Sequence, residues 1–361
     1  MNTATYMPIL KGRQGELWSL RELGSRQGVC PVIEVPRIKW NYKANGPAHT
    51  VEEHVTRFVR EFDKALKRIN TCAVDAYLLD GNGSDDSTAA LREILGLCAS
   101  RGHILTPTTG LERDSRYNRV AGRHARRHSS GCVVRLERED LQDPEDLKTV
   151  IEDLMVELGL EPSDIDLIAD LKFLREEDER NDLDLLIEML PRLPYLDRWR
   201  SFWFAAGTFP EFLTGIPGDS EEYIARVEWT IWNALVRGLP AARAPRFADY
   251  GITHPISPDV DPEVMNMSAN IRYTTEHSCL VLKGRGVRNH PRGHYQFNDL
   301  CRKLVAKDEY SGSDFSPGDL YLYDCARDLE GPGNASKWRQ AGTSHHVEFV
   351  ARQIAKARRL G

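Results

Sequence analysis

The stretch CVVRLEREDLQDPEDLKTVIEDLMVELGLEPSDIDLIADLKF, from Cys132 to Phe173, reads as strand, helix, strand. Cys132–Leu136 and Asp166–Phe173 are short runs rich in Val, Ile and Leu. Between them, Pro144–Leu158 opens with Pro-Glu-Asp, a good first helical turn, and continues as a helix. Two strands joined through a helix lie parallel, because parallel neighbours need a crossover connection.

The same unit recurs on both sides. Upstream, Tyr6–Lys11, Val29–Pro36, Asp75–Asp80 and His103–Thr108 read as strands. His54–Ile69 carries Val55, Phe58, Val59, Phe62 and Leu66 on one helical face. Downstream, Ser201–Ala206 and Pro245–Tyr250 are the seventh and eighth strands, with a predicted helix over Tyr223–Arg237 between them. Eight strand-then-helix units within the first 250 residues predict an α/β chain of the (β/α)8 TIM-barrel type. An open doubly wound sheet is the alternative, and it would normally carry a glycine-rich phosphate loop after its first strand. The one candidate, Lys11-Gly12-Arg13-Gln14-Gly15, lacks the full spacing.

The eighth unit is interrupted. Residues 1–255 are expected to form the barrel, and 256–361 an elaborated segment of the same unit that includes the last barrel helix. In that segment Asn270–Tyr273 and Cys279–Lys283 predict a β-hairpin over the barrel mouth, and Phe297–Val305 is the candidate delayed eighth helix. Asp319–Tyr323 (DLYLY) reads as a further strand, and a final helix is predicted from about Val347 to Arg359.

A chain of 361 residues, 41% hydrophobic and 28% charged, is expected to fold as one large domain or two ordinary ones. Its net charge of −6 gives no push toward nucleic acid or membrane. Absence of a long apolar run and of a signal-like start predicts a cytoplasmic location without a membrane partner. The seven cysteines form no CxxC pair, which reads as buried free thiols rather than a disulfide framework or zinc site. No motif specifies a cofactor. Eight arginines lie between Arg113 and Arg138, before a segment with 16 acids from Glu145 to Glu188. A basic helix can grip nucleic-acid phosphates. Compensation by the acidic segment is the plainer expectation.

Barrel chemistry sits at the carboxyl ends of the strands. Those ends supply Lys11, Glu34, Asp80, Asp170, Lys172 and Asp249. Acids and cations around one mouth suit a polar or phosphorylated ligand. Against this, alternate side chains point outward. In the last third, adjacent His345 and His346 are candidate acid/base groups, predicted just before a helix and near Arg339, where a phosphate corner is conceivable. The alternative has one imidazole capping or packing and the other solvated. Arg272, Tyr273, Lys283 and Arg285, with Gly284 and Gly286 beside them, form the second cationic group.

The C-terminal motifs carry a resemblance. DYGITHP (249–255), NIRYT (270–274), Lys283-Gly284, DFSPGD (314–319) and WRQAGTSHH (338–346), with YMPILK near the start and PVIE at 31–34, resemble the "beta protein" family of satellite phages, prophages and bacteria. Lys283 stands where the family pattern suggests arginine. The resemblance implies a barrel, an anti-phage defence setting and neighbouring cassette proteins as partners; it implies no settled reaction. The reading is therefore a mouth site for a nucleotide or nucleic-acid fragment, with Asp170, Asp249, His345 and His346 as catalytic candidates. The rival is a non-catalytic sensor or toxin-restraining partner.

Overall fold

The computed structural model describes residues 4–23, 28–79, 88–142, 144–240, 244–256, 267–288 and 290–360. Eight parallel strands close into a barrel: β1 (Tyr6–Leu10), β2 (Val32–Glu34), β3 (Ala73–Asp75), β4 (Thr106–Gly110), β5 (Cys132–Glu137), β6 (Ile165–Phe173), β7 (Ser201–Gly207) and β8 (Arg246–Asp249). Each strand pairs with its sequence neighbour, and β8 closes on β1 through Tyr6 opposite Phe247. The strands are buried on both faces, which explains their continuous apolar runs.

The two-residue period of the strands sorts their side chains. Met7, Ile9, Val32, Ala73, Val133, Ile168, Trp203, Ala205 and Ala248 fill the barrel interior. Leu10, Ile33, Val74, Val134, Leu167, Phe204 and Phe247 pack outward beneath the helices. Around the wall, the helix Val51–Leu66 shows how local sequence sets such an element. Thr50 accepts from the Glu53 amide at 3.2 Å, and Glu53 accepts from the Thr50 amide at 3.0 Å. This reciprocal box satisfies two donors that a helix start leaves open. The predicted face of Val55, Phe58, Val59, Phe62 and Leu66 is buried.

Several predicted elements differ. The third strand, read over Asp75–Asp80, runs Ala73–Asp75 instead, and Tyr77–Leu79 is a short 3-10 turn. The segment read as one helix from Tyr223 is a strand, Ser220–Ala225, followed by a helix, Val227–Gly238. That strand pairs antiparallel with Ser278–Gly286, which also pairs with Ser268–Thr274, so the predicted hairpin becomes a three-stranded sheet. DLYLY lies in a helix, Pro317–Ala326, capped by Ser316, whose side chain accepts from the Asp319 amide. The final helix begins at Ala335, not near Val347, and runs to Leu360.

This long helix packs along the first helix (Gln14–Glu22) and β1, so it takes the place of the eighth barrel helix. Gln296–Val305, the candidate for that role, instead packs on the three-stranded sheet and on Pro317–Ala326. Those elements enclose a second core of Ala269, Ile271, Tyr273, Leu280, Leu282, Phe297, Leu300 and Leu322. Glycines let the helices approach. A Cβ on Gly318 would lie 2.1 Å from the Ala341 carbonyl oxygen, and one on Gly15 would lie 2.3 Å from that of Ser336. All seven cysteines are buried and unpaired.

Candidate functional site

At the carboxyl end of the barrel interior, Arg135 of β5 is 2% exposed and forms the hub of a charged network. Its Nη1 donates to Glu34 Oε1 at 2.7 Å and Asp75 Oδ2 at 3.0 Å. Its Nε and Nη2 donate to Asp170 Oδ2 at 3.0 and 2.5 Å. The Tyr250 hydroxyl donates to the same Asp170 oxygen at 2.6 Å. Each carboxylate also meets a cation of its own. Lys11 pairs with Glu34, Arg113 with Asp75 at 3.2 Å, and Lys172 with Asp170 at 3.4 Å and Glu137 at 3.0 Å.

Burial alone would push the Glu34 and Asp170 carboxyls up. For Glu34 the Lys11 ammonium and Arg135 outweigh it and hold the group at about 2. For Asp170, Lys172 and Arg135 likewise keep the carboxyl well below its usual range. Lys11 is lowered by burial against the opposing pull of Glu34, and it also donates to the Pro255 carbonyl. Lys172 has a positive φ of 57° and a side chain 25% exposed, which makes it the most accessible cation of the network. Arg113 lies over the Tyr77 ring at 3.4 Å, and its buried Nε has no hydrogen-bond partner among the described residues.

Lys11, Glu34, Asp170 and Lys172 thus meet as the strand-end reading expected. Asp80 lies outside the described residues; β3 ends at Asp75, which takes part instead. The expected convergence of Asp249 and the histidines with Asp170 is not found. Tyr250 reaches the interior network, so its neighbour Asp249 faces the outer wall. There Asp249 Oδ1 accepts from the Tyr6 hydroxyl at 2.8 Å, and Oδ2 pairs with His346 Nε2 at 3.0 Å. The second ring nitrogen of His346 meets Thr274 Oγ1 at 2.8 Å.

His345 sits in a third place. Its nitrogens face Asp319 Oδ2 at 3.0 Å and the Thr274 carbonyl at 2.8 Å, and its ring stacks on Tyr273 at 3.7 Å. Tyr273 donates to Asp319 Oδ1 at 2.7 Å. Both histidines lie within the long helix rather than before its start, so the expected helix-terminal corner around them does not form. Neither has a ring nitrogen left for a ligand, and both are buried.

The second cationic group also divides. Lys283 Nζ donates to the Leu213 and Ile216 carbonyls, both at 2.5 Å, and Arg285 pairs with exposed Asp219. Arg272 Nη1 donates to the Ile252 carbonyl at 2.8 Å, and its guanidinium lies 4.3 Å over the Phe209 ring. Burial and the neighbouring Arg339 lower its pKa to about 10.

Beside Asp249 a small cavity is lined by Thr208, Arg226, Glu228, Thr274 and His346. Burial raises the Glu228 carboxyl to about 7 against the pull of Arg226, with Asp249 adding to the rise. No spacing signal in the sequence marked this cavity. Arg135, the hub, belongs to the strand run CVVRL, and nothing in the sequence set it apart from the other arginines of 113–138.

In the Arg-rich segment, Arg135 and Arg138 do pair with acids of the following stretch, Asp170 and Asp182. The helix Ser115–His128 departs from the compensation reading. Among the described residues its arginines make no ion pair with the acids of 145–188, because Arg116, Arg119, Arg123 and Arg127 point to solvent. Among the described residues, no three His, Cys, Asp or Glu side chains gather as a metal site, and no helix is long and apolar enough to cross a membrane.

The family model described as "Beta protein" matches residues 6–352. The chain belongs to the Beta protein family. The C-terminal motifs, Arg135 and the Lys11 loop all fall within that match. No curated protein matches the sequence. Among solved structures, the chain is similar to the carboxyl transferase domain of Rhizobium etli pyruvate carboxylase, solved with 3-bromopyruvate. That likeness has 11% identity and a TM-score of 0.37, and it covers 98% of this chain but 48% of the other, so this Beta family chain spans about half that length. The barrel rests on the strand pairing rather than on this likeness.

Proposed function

We propose that this Beta family protein is a cytoplasmic component of an anti-phage defence cassette whose barrel mouth takes a phosphorylated ligand, a nucleotide or a nucleic-acid fragment. The observation that carries the reading is the Arg135 network, with four cations and the carboxylates Glu34, Asp75 and Asp170 gathered at the strand ends. A fold does not need such a cluster. Buried ion pairs rarely stabilise more than apolar packing of equal volume. Groups with strongly shifted pKa values at a barrel mouth are candidates for a working site. Lys172 and Arg113 are the cations best placed to turn toward a phosphate. The three-stranded sheet with the helices Gln296–Val305 and Pro317–Ala326 is the proposed cover of the mouth.

A sensing role is favoured over hydrolysis by one further observation. Glu34 and Asp170 are held far below neutral pH, which makes them weak proton acceptors, and both histidines are engaged elsewhere. The protein would then bind its ligand and pass the signal to a neighbouring cassette protein. The test is a panel of nucleotides and short oligonucleotides, scored for binding and turnover, with wild type and Lys172→Met. Phage plating of both forms with their native gene neighbours completes it. Binding that depends on Lys172, with no turnover, supports the sensor. Turnover that depends on Lys172 restores the hydrolytic reading. A panel with no saturable binding, or binding indifferent to Lys172→Met, overturns the mouth site.

A further inference from the structure

At the rim of the same mouth, three arginines stand together without an ion pair. Arg13 follows β1 in the Lys11-Gly12-Arg13-Gln14-Gly15 turn, where Gly12 takes a φ of 60°. Gly15, in the first turn of the next helix, lies against Arg339: a Cβ on Gly15 would be 2.9 Å from the Arg339 Cβ. One turn along the long helix from Arg339, Gly342 lies against Arg272, with a built Cβ 3.2 Å from the Arg272 carbonyl oxygen and 2.6 Å from Ile252 Cδ1. Arg339 is therefore bracketed by Arg13 on one side and Arg272 on the other.

Among the described residues, Arg13 and Arg339 have no side-chain hydrogen bond or ion pair. The side-chain polar contacts of Arg272 are with the Ile252 carbonyl and the Asn270 amide oxygen, both uncharged. All three residues are partly rather than fully buried by surface area. Among the described residues, the one carboxylate that counters them is Glu16, acting on Arg339, and its Oε2 is occupied by the Arg13 backbone amide at 2.9 Å. Among those residues, three cations against one carboxylate leave an excess of two positive charges. Burial is the main cause of the lowered pKa values of Arg272 and Arg339, and a neighbouring arginine adds to each, Arg339 for Arg272 and Arg13 for Arg339. The positive end of the helix Gln14–Glu22 adds to the excess.

We infer that Arg13, Arg272 and Arg339 form an anion subsite that anchors the phosphate of a phosphate monoester. The dianion carries about −1.5 to −2 at neutral pH, which matches the excess. Guanidinium forks suit its oxygens. The inference rests on the mouth reading for the remainder of the ligand, which would extend from the rim toward Lys172. The subsite itself stands on the rim arginines alone.

The test uses the full chain with inorganic phosphate and a nucleoside 5′-monophosphate as probes, read by calorimetry and thermal unfolding. Wild type should bind phosphate saturably at millimolar concentrations or below. Arg13→Gln and Arg339→Gln should each weaken it by about tenfold or more, the loss expected for a charged hydrogen bond. Without phosphate, both variants should unfold at a temperature equal to or above that of wild type, because repulsion is relieved. A merely structural arginine would give the opposite shift. If phosphate binding falls in both variants while no phosphorylated compound depends on Lys172, the subsite stands and the wider mouth reading fails. If wild type shows no saturable phosphate response, or the two variants bind as wild type does, the inference is overturned whatever Lys172→Met shows.

Discussion

Replacing Arg135 by methionine keeps much of the side-chain volume and removes the charge that three carboxylates share. Glu34, Asp75 and Asp170 would each retain one cation, in Lys11, Arg113 and Lys172. They would lose hydrogen bonds of 2.5–3.0 Å in a place where the hub is 2% exposed. Breaking a buried ion pair from one side typically costs about 3–5 kcal/mol. The retained cations place this variant within that range rather than above it. The pH dependence gives the sharper check. In wild type, Glu34 at about 2 and Asp170 below its usual range stay ionised down to strong acid. In the variant their pKa values rise, so they take up protons as pH falls. The penalty should then shrink between pH 8 and pH 5 by roughly 1.4 kcal/mol for each unit that one carboxyl has risen into that window. Urea unfolding of both proteins at the two pH values measures this. A penalty under about 1 kcal/mol at pH 8, or one that does not shrink at pH 5, would refute the hub.

Three further outcomes are expected. Glu228, raised from 4.5 to about 7, contributes stability below pH 4.5 that is lost as pH rises through 7; Glu228→Gln should flatten this slope and leave the protein about 1–3 kcal/mol more stable than wild type at pH 8, by chemical denaturation. Thr274→Val removes the hydroxyl facing His346 Nδ1 and should destabilise by about 1–3 kcal/mol, the usual range for a buried polar group left unpaired. Gly15→Ala would bring a Cβ within 2.3 Å of the Ser336 carbonyl oxygen. It should lower the thermal midpoint by forcing the first and last helices apart, at a cost of about 1–3 kcal/mol.

The barrel was legible because strands buried on both faces leave a mark that neighbouring structure hardly alters: a short apolar run ending in a charge. Elements whose pairing is long-range left no such mark. Ser220–Ala225 has exposed Glu221, Glu222 and Tyr223 and becomes a strand by pairing with residues 278–283, about 60 positions away. In DLYLY, apolar residues at every second position suggest a strand, but Ser316 and Pro317 just before it are a helix start, and Tyr321, Leu322 and Cys325 form its buried face. Gly342, Thr343 and Ser344 read as a helix boundary. Gly342 instead lets the long helix close on Ile252 and the Arg272 backbone.

Charged residues at the strand ends were legible as a class, but their grouping was not. Asp249 and Tyr250 are adjacent in sequence, and the strand period sends them to opposite sides of the wall. One therefore joins His346 and the other Arg135. A sequence list of acids and cations near the carboxyl ends cannot make that separation until the strand register is known. The arginine rim was harder still, since Arg13, Arg272 and Arg339 come from a loop, a sheet strand and a helix more than 300 residues apart along the chain. What identifies them together is that, among the described residues, none of the three makes an ion pair. Elsewhere among the described residues, the buried charges of the mouth are matched cation to carboxylate. A fold that neutralises its own interior this closely, yet brings Arg13, Arg272 and Arg339 together with Glu16 as their one counter-charge among the described residues, is better explained by a role in binding an anion than by a tolerated cost.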